Sequence, residues 1–341
     1  MTTASSKPDI DAEKQKLLKH LVTFDARIRY PAPYIAFAGK PSTQIFENGW
    51  HYDDLGYRND VPAGPRSRAE TARVFIVGDS TLVDGLDTAD TVPGRVQTAL
   101  RQSLGAGAQV YNFGAISNCL NQAIMLITTK LIDLEPDAIV ILAGGTDIFQ
   151  PWTFDPRPGQ PYNQFAIEAI HDDLFAQGPR SATPSVMDQG SILEILFSRQ
   201  RNLRLVTRWK EAPWEWEVVR TFELSMDRIG RLSEGIGIPI HFVLQPMVVR
   251  KPSLAEDERS FASVEFLEYL DRQYDRLKTV VGEYERKFGR RTFFAAHDLS
   301  DIFSDEARTI FTDIVHYNAI GRQMMADDLV GRLNLARDGA A

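Results

Sequence analysis

The sequence predicts an α/β protein, a three-layer, doubly wound sandwich around a five-stranded parallel sheet, with an N-terminal extension and a helical insertion. Two observations carry this. Short apolar runs alternate with longer stretches of helical periodicity, which is the pattern of a parallel sheet with helical crossovers. The best of these runs, Ala138-Ile139-Val140-Ile141-Leu142, is apolar on both faces, as a strand covered by helices on each side must be.

The first 70 residues form the extension: a helical stretch from Asp9 to Ile28, a Pro/Gly/aromatic region, and the polar segment Val61 to Arg68. The core occupies 71–150 and 236–335, and the insertion 151–235. Val74-Phe75-Ile76-Val77 reads as the first strand of the core, ended by Gly78 and followed by a helix over Val92 to Leu104. Gln109 to Asn112 is the second strand and Asn121 to Leu134 the second helix; the third strand, 138–142, is introduced by Pro136 and ended by Gly144-Gly145. Residues 151–190, rich in Pro, Gly, Asp and Gln, lead into two helices, Ser191 to Trp209 and Trp214 to Glu234. The alternation resumes with Ile238 to Leu244 as strand, Val264 to Phe288 as helix, Arg291 to Ala295 as strand and Ala319 to Arg332 as the last helix. No internal repeat interrupts this order.

Composition narrows the function. Of 341 residues, 46 are acidic and 38 basic, and no block of Lys and Arg could neutralise a row of phosphates, so nucleic acid is not the expected partner. The single cysteine, Cys119, excludes an internal disulfide framework, and no Cys/His spacing suits zinc. Gly105-Ala106-Gly107 precedes a strand and lacks a third glycine at dinucleotide-binding spacing, so no cofactor is expected. The polar N-terminus and the lack of any run near the roughly 20 apolar residues of a membrane span place the chain in the cytoplasm as an expectation, or outside it if a leader has been removed. A homo-oligomer stays open.

The chemistry gathers at the carboxyl ends of the strands, where open α/β sheets bind their ligands. Gly78-Asp79-Ser80 closes the first strand in a sharp turn that lifts a serine hydroxyl toward solvent. An isolated Gly-Asp-Ser is more often a helix cap; as a nucleophile it needs a base. Asp313-Ile314-Val315-His316 supplies one, since a separation of three lets the carboxylate hold imidazole Nδ1 and leave Nε2 facing the serine. Among the other histidines, His20, His51 and His171 sit in polar contexts and His241 within a strand; only His297, followed by Asp298, rivals His316. An oxyanion would need donors at the same rim, and Asn112-Phe113-Gly114 and Gly144-Gly145-Thr146-Asp147 offer an amide and a hydroxyl.

These four blocks, in this order over residues 73–332, resemble the SGNH (GDSL-like) hydrolase superfamily. The resemblance implies a flavodoxin-like fold and a serine esterase in which Ser80 is the nucleophile, His316 the base and Asp313 the acid. It assigns the oxyanion hole to Ser80, Gly114 and the position of Thr146, where the family has asparagine. Threonine there leaves three readings: a working substitute, a hole completed by Asn118 or Asn121, or reduced activity. Asp53 to Asn59 and Gln245-Pro246 look like segments of family members linked to bacterial polysaccharide metabolism, which points to an O-acetyl ester of a carbohydrate. Asp79, Asp147, Asn118, Arg58 and Gln245 are the expected substrate-contacting residues. Of the insertion's Trp152, Trp209, Trp214 and Trp216, the last three cluster around a helix-helix turn and suit a packed hairpin core better than sugar stacking, while an apolar lid over the site would instead suit a lipid ester or a dimer contact. An acyltransferase to a sugar hydroxyl, and a carbohydrate-binding protein on the same scaffold, are the alternatives.

Overall fold

Why the strands are buried on both faces is plain in the computed structural model, which describes residues 14, 27–45, 50–176, 189–288 and 293–333. The central sheet has the order β4-β3-β5-β6-β7 and is parallel throughout, built from β3 (Ala72–Gly78), β4 (Ala108–Gly114), β5 (Ala138–Ala143), β6 (Ile240–Leu244) and β7 (Phe294–Asp298). Counted along the chain this is the order 2-1-3-4-5, the flavodoxin-like arrangement, whose switch point falls beside the first strand. A separate antiparallel hairpin, β1 (Tyr30–Ala32) and β2 (Ala36–Ala38), belongs to the extension.

Alternate residues of each strand enter two cores. On one face Val74, Ile76, Val110 and Val140 pack against Val96 and Leu100 of α2 (Val92–Leu104) and Met325 and Leu329 of α9 (Ala319–Leu333). On the other, Phe75, Phe113, Ile141 and Phe242 meet α3 (Leu120–Leu126), α7 (Ala212–Ile236) and α8 (Val264–Phe288). Three layers result, as the sequence predicts.

Local chemistry sets the boundaries. Thr91 caps α2 by accepting from the Gly94 amide, Pro93 occupies its first turn, and Gly105 at φ 89° stops it. The free edge of β4 is closed by side chains: Asn59 pairs with both the amide (2.7 Å) and carbonyl (3.0 Å) of Asn112, and Gln97 accepts from Val110 (3.0 Å).

Several elements differ from the expectations. The helix expected over 121–134 is α3 followed by a π-helical turn, Ile127–Leu131, and a 3₁₀ turn ending at Glu135, φ 52°. Three helices were not expected: the single turn α1 (Ser80–Val83), α4 (Gly145–Thr153), which tolerates Pro151, and α5 (Gln164–Ala176), which pairs with α6 (Gln189–Val206) through Phe165, Ala169, Leu196 and Phe197. The last strand lies three residues later than predicted, so His297 and Asp298 belong to it. The helix expected over 9–28 falls almost wholly outside the described residues. Among the described residues no helix is long and apolar enough to cross a membrane, and no three His, Cys, Asp or Glu side chains gather to hold a metal.

Candidate active site

Ser80 is the first residue of α1 (Ser80–Val83), directly after β3. Gly78 makes the tight exit, since a Cβ there would lie 2.3 Å from the Leu142 carbonyl oxygen of β5. Asp79 caps α1, accepting from the Thr81 amide (3.0 Å) and hydroxyl (2.8 Å) and leaving Ser80 half-buried at the sheet rim. From the other end of the chain, His316 Nε2 reaches Ser80 Oγ at 2.7 Å, and its Nδ1 lies 2.7 Å from Asp313 Oδ2. With Nδ1–H given to the carboxylate, Nε2 is left to accept the serine proton. The other oxygen of Asp313 accepts from the amides of Val315 (2.8 Å) and His316 (2.9 Å), so the carboxylate folds its own turn and fixes the ring.

Burial works against charge on His316, but the hydrogen bond and charge of Asp313, with Asp79 and Asp84 beyond, override it and hold the imidazole pKa above 6.5. Burial likewise opposes ionisation of Asp313, and its bond to His316 prevails, so the carboxylate stays below its ordinary range.

The three side chains open into a cleft of about 780 Å³. Its walls are largely aromatic, with Trp50, Phe149, Trp152, Phe261 and Phe266, while Ser117 and Arg29 line it as well.

The expected oxyanion donors are placed differently. Gly114 does not line the cleft; its amide donates to Asn112 Oδ1 (2.8 Å), and a Cβ on it would stand 2.5 Å from Leu82 Cβ, so this glycine serves close packing of β4 on α1. Thr146 lines the cleft, but its hydroxyl donates to Asp79 Oδ2 at 2.5 Å. Asn121 gives its amide to the Gly159 carbonyl and takes bonds from Ser225 and Arg228, while Asn118 is buried and does not line the cleft.

What the strand-end loop after β4 does present is Ser117. It sits in the left-handed region, φ 64°, where a side chain is strained, and its own N–H has no hydrogen-bond partner among the described residues. Ser117 and Ser80 both line the cleft, which makes their amides candidate oxyanion donors. No residue-type signal marks Ser117, because a glycine would be the ordinary choice at that backbone angle.

The residues expected to touch substrate are structural instead. Asp79, 1% exposed, is enclosed by Thr81, Thr146 and Gln245, whose Nε2 lies 3.2 Å away. Arg58, 1% exposed, donates to the Val83 and Gly85 carbonyls and stacks over Trp50, clasping the turn after α1; burial lowers its pKa to about 10. Asp147 ties the Leu120 amide to α4 (2.9 Å), and burial, with Asp79 nearby, pushes its carboxyl up to about 6.

Comparison with known proteins adds fold-level likeness. Solved structures similar to the chain include a Parabacteroides merdae protein described as a GDSL-like lipase (15% identity, 80% of this chain, 100% of that one, TM-score 0.47). Others are the acetylxylan esterase Axe2 from Geobacillus stearothermophilus (13%, 80% and 97%, TM-score 0.42) and the lipase Lip_vut3 from a goat rumen metagenome (12%, 76% and 96%, TM-score 0.46). No family model and no curated protein matches the chain. At this level of likeness the chemistry has to be read from the site.

The tryptophans split between core and rim. Trp214 is 2% exposed and donates to the Pro156 carbonyl, while Trp152 stacks on Tyr269 (4.3 Å) with Lys210 Nζ 4.2 Å from its ring centre. Trp209 packs beside Trp152 (5.7 Å), and Trp216 is exposed under Arg276. Of these four rings only Trp152 lines the cleft. The rival base, His297, is stacked on His241 with 3.2 Å between ring nitrogens and does not line the cleft.

Proposed function

We propose that the protein is a serine esterase of the SGNH type, hydrolysing a short acyl ester, in the finer reading an O-acetyl ester of a carbohydrate. One observation carries the reading: Ser80, His316 and Asp313 form a hydrogen-bonded line, 2.7 Å at each step, whose nucleophile end opens into the cleft.

The chemistry follows from the atoms present. His316 Nε2 takes the Ser80 proton as Oγ attacks the ester carbonyl, and the Ser80 and Ser117 amides receive the oxyanion. His316 then protonates the leaving alcohol, and the acyl group stays on Ser80. A water, deprotonated by His316, attacks that acyl carbonyl, and the collapse frees the acid and restores the Ser80 hydroxyl. Asp313 orients the ring and supports its positive charge throughout.

The acetyl-carbohydrate reading is supported by the sequence likeness around Asp53 to Asn59 and Gln245-Pro246, and by a cleft roomy enough for a sugar ring beside a two-carbon acyl group. An alcohol entering in place of water would turn the same acyl-enzyme into an acyltransferase.

The test is a panel of acetylated sugars and aryl esters of increasing chain length against wild type and Ser80→Ala, with fluorophosphonate labelling. Turnover and labelling that both vanish in Ser80→Ala support the reading; an unchanged Ser80→Ala rate overturns it. A preference for long aryl esters over acetylated sugars removes the carbohydrate part alone, and product partition with an added acceptor separates transfer from hydrolysis.

A further inference from the structure

Ser117 is a costly choice of residue. Its φ of 64° strains any side chain, by about 1 kcal/mol or more, and glycine would remove the strain. The side chain is held, however. Arg29 Nη2 donates to Ser117 Oγ at 2.7 Å, and Gln150 donates through Nε2 to the Ser117 carbonyl. Arg29 is itself fixed: its guanidinium lies 4.1 Å from the centre of the Tyr162 ring, and its neighbour Ile28 packs against the cluster of Ile45, Tyr52 and Val83. The strained serine is therefore gripped on both sides, from the N-terminal extension and from α4. Thr146 cannot share the load, because its proton goes to Asp79.

We propose that Arg29 is a positioning residue that fixes the Ser117 amide in the oxyanion hole through the hydrogen bond from its Nη2 to Ser117 Oγ. The inference rests on the esterase reading above and adds a role for the extension. A hole with two amide donors in place of three depends more on where each amide stands, and a misplacement of about 1 Å in a catalytic group can lower the rate roughly 10²-fold. Serine at 117 supplies the hydroxyl that the guanidinium grips, which glycine could not.

The experiment is a double-mutant cycle on chromogenic acetyl ester hydrolysis and on the rate of fluorophosphonate labelling, with each variant's thermal unfolding recorded. Arg29→Gln is expected to lower kcat by roughly 10-fold with KM little changed, and Arg29→Lys to recover part of the loss. Ser117→Gly, which relaxes the backbone, should show a similar fall, and adding Arg29→Gln to it should lower kcat no further. A fall that persists at full size in the Ser117→Gly background, or one confined to KM, overturns the proposal, the latter by making Arg29 a substrate contact. Ser80→Ala separates the two levels: if it remains active the esterase reading has failed, whereas an inactive Ser80→Ala beside an unaffected Arg29→Gln removes only the clamp.

Discussion

The hydroxyl of Thr146 donates to Oδ2 of Asp79 at 2.5 Å, and both side chains are buried. A proton given to a carboxylate is a charge-assisted bond and is not at hand for an oxyanion. Thr146→Val should therefore act first on stability. It leaves that carboxylate oxygen with Gln245 alone, at 3.2 Å, and should cost about 1–3 kcal/mol in urea unfolding, with Thr146→Ser close to wild type. Turnover should fall much less than the roughly 10²–10³ of a lost oxyanion donor. A 100-fold drop at unchanged stability would put Thr146 back in the hole.

The pH profile follows from the raised pKa of His316. The working form is neutral, so kcat/KM should fall as pH drops through that pKa, with the midpoint of the acid limb above 6.5. Asp313→Asn removes the largest raising influence and should move the midpoint down as well as slow the reaction. A wild-type midpoint at or below 6.5 contradicts the geometry. For stability the sign is opposite: a raised folded-state pKa stabilises the fold fully below the unfolded value and loses that contribution as pH rises through the folded one. The charged pair thus supports the fold most between the titration of Asp313 and that of His316, on the acid limb where the proposed esterase is losing activity.

How far the sequence reaches depends on whether a signal is local. The boundaries of α2 coincide with prediction because Thr91, Pro93 and Gly105 are caps that act on their own neighbours. The line from Ser80 to Asp313 was legible because Asp313 and His316 share one turn and Gly78-Asp79-Ser80 one strand exit. Gly114 was misjudged because a glycine that permits close packing looks the same in sequence as one that frees an amide. Ser117 and Arg29 carried no signal: their contact spans 88 positions, and a serine at φ 64° is what local propensity argues against. α5 escaped because Phe165, Ala166 and Ala169 mark a narrow apolar face, covered only once α6 packs on it.

Gly114 gives a prediction of its own. Its Cβ in Gly114→Ala would stand 2.5 Å from Leu82 Cβ and 3.0 Å from the Asp79 carbonyl oxygen, and neither backbone can retreat without moving α1. The substitution should destabilise by about 1–3 kcal/mol and lower kcat together, since Ser80 rides on the displaced helix. Guanidinium unfolding and kcat measured on the same preparation check it; a loss of kcat at full stability would instead mark the Gly114 amide as an oxyanion donor.

Lys251 and Glu258 form an ion pair with no exposed side-chain surface, close to the turn that carries Asp313 and His316. Lys251 also donates to the Arg308 carbonyl (2.6 Å), and Glu258 accepts from the amides of Ala255 (2.8 Å), Ile310 and Phe311 (both 2.9 Å). Burial opposes charge on Glu258, but Lys251 and these amides hold its pKa below the ordinary value. Lys251→Met leaves a buried carboxylate without its cation, which should destabilise by about 3–5 kcal/mol. Replacing both partners by apolar residues is often neutral for a buried pair, but here it should not rescue the fold. The double variant Lys251→Met/Glu258→Leu would strip three amides of their acceptor, so urea unfolding should find it no more stable than Lys251→Met alone. Recovery in the double variant would mean that the pair, and not the amide cradle, is what anchors the approach to His316.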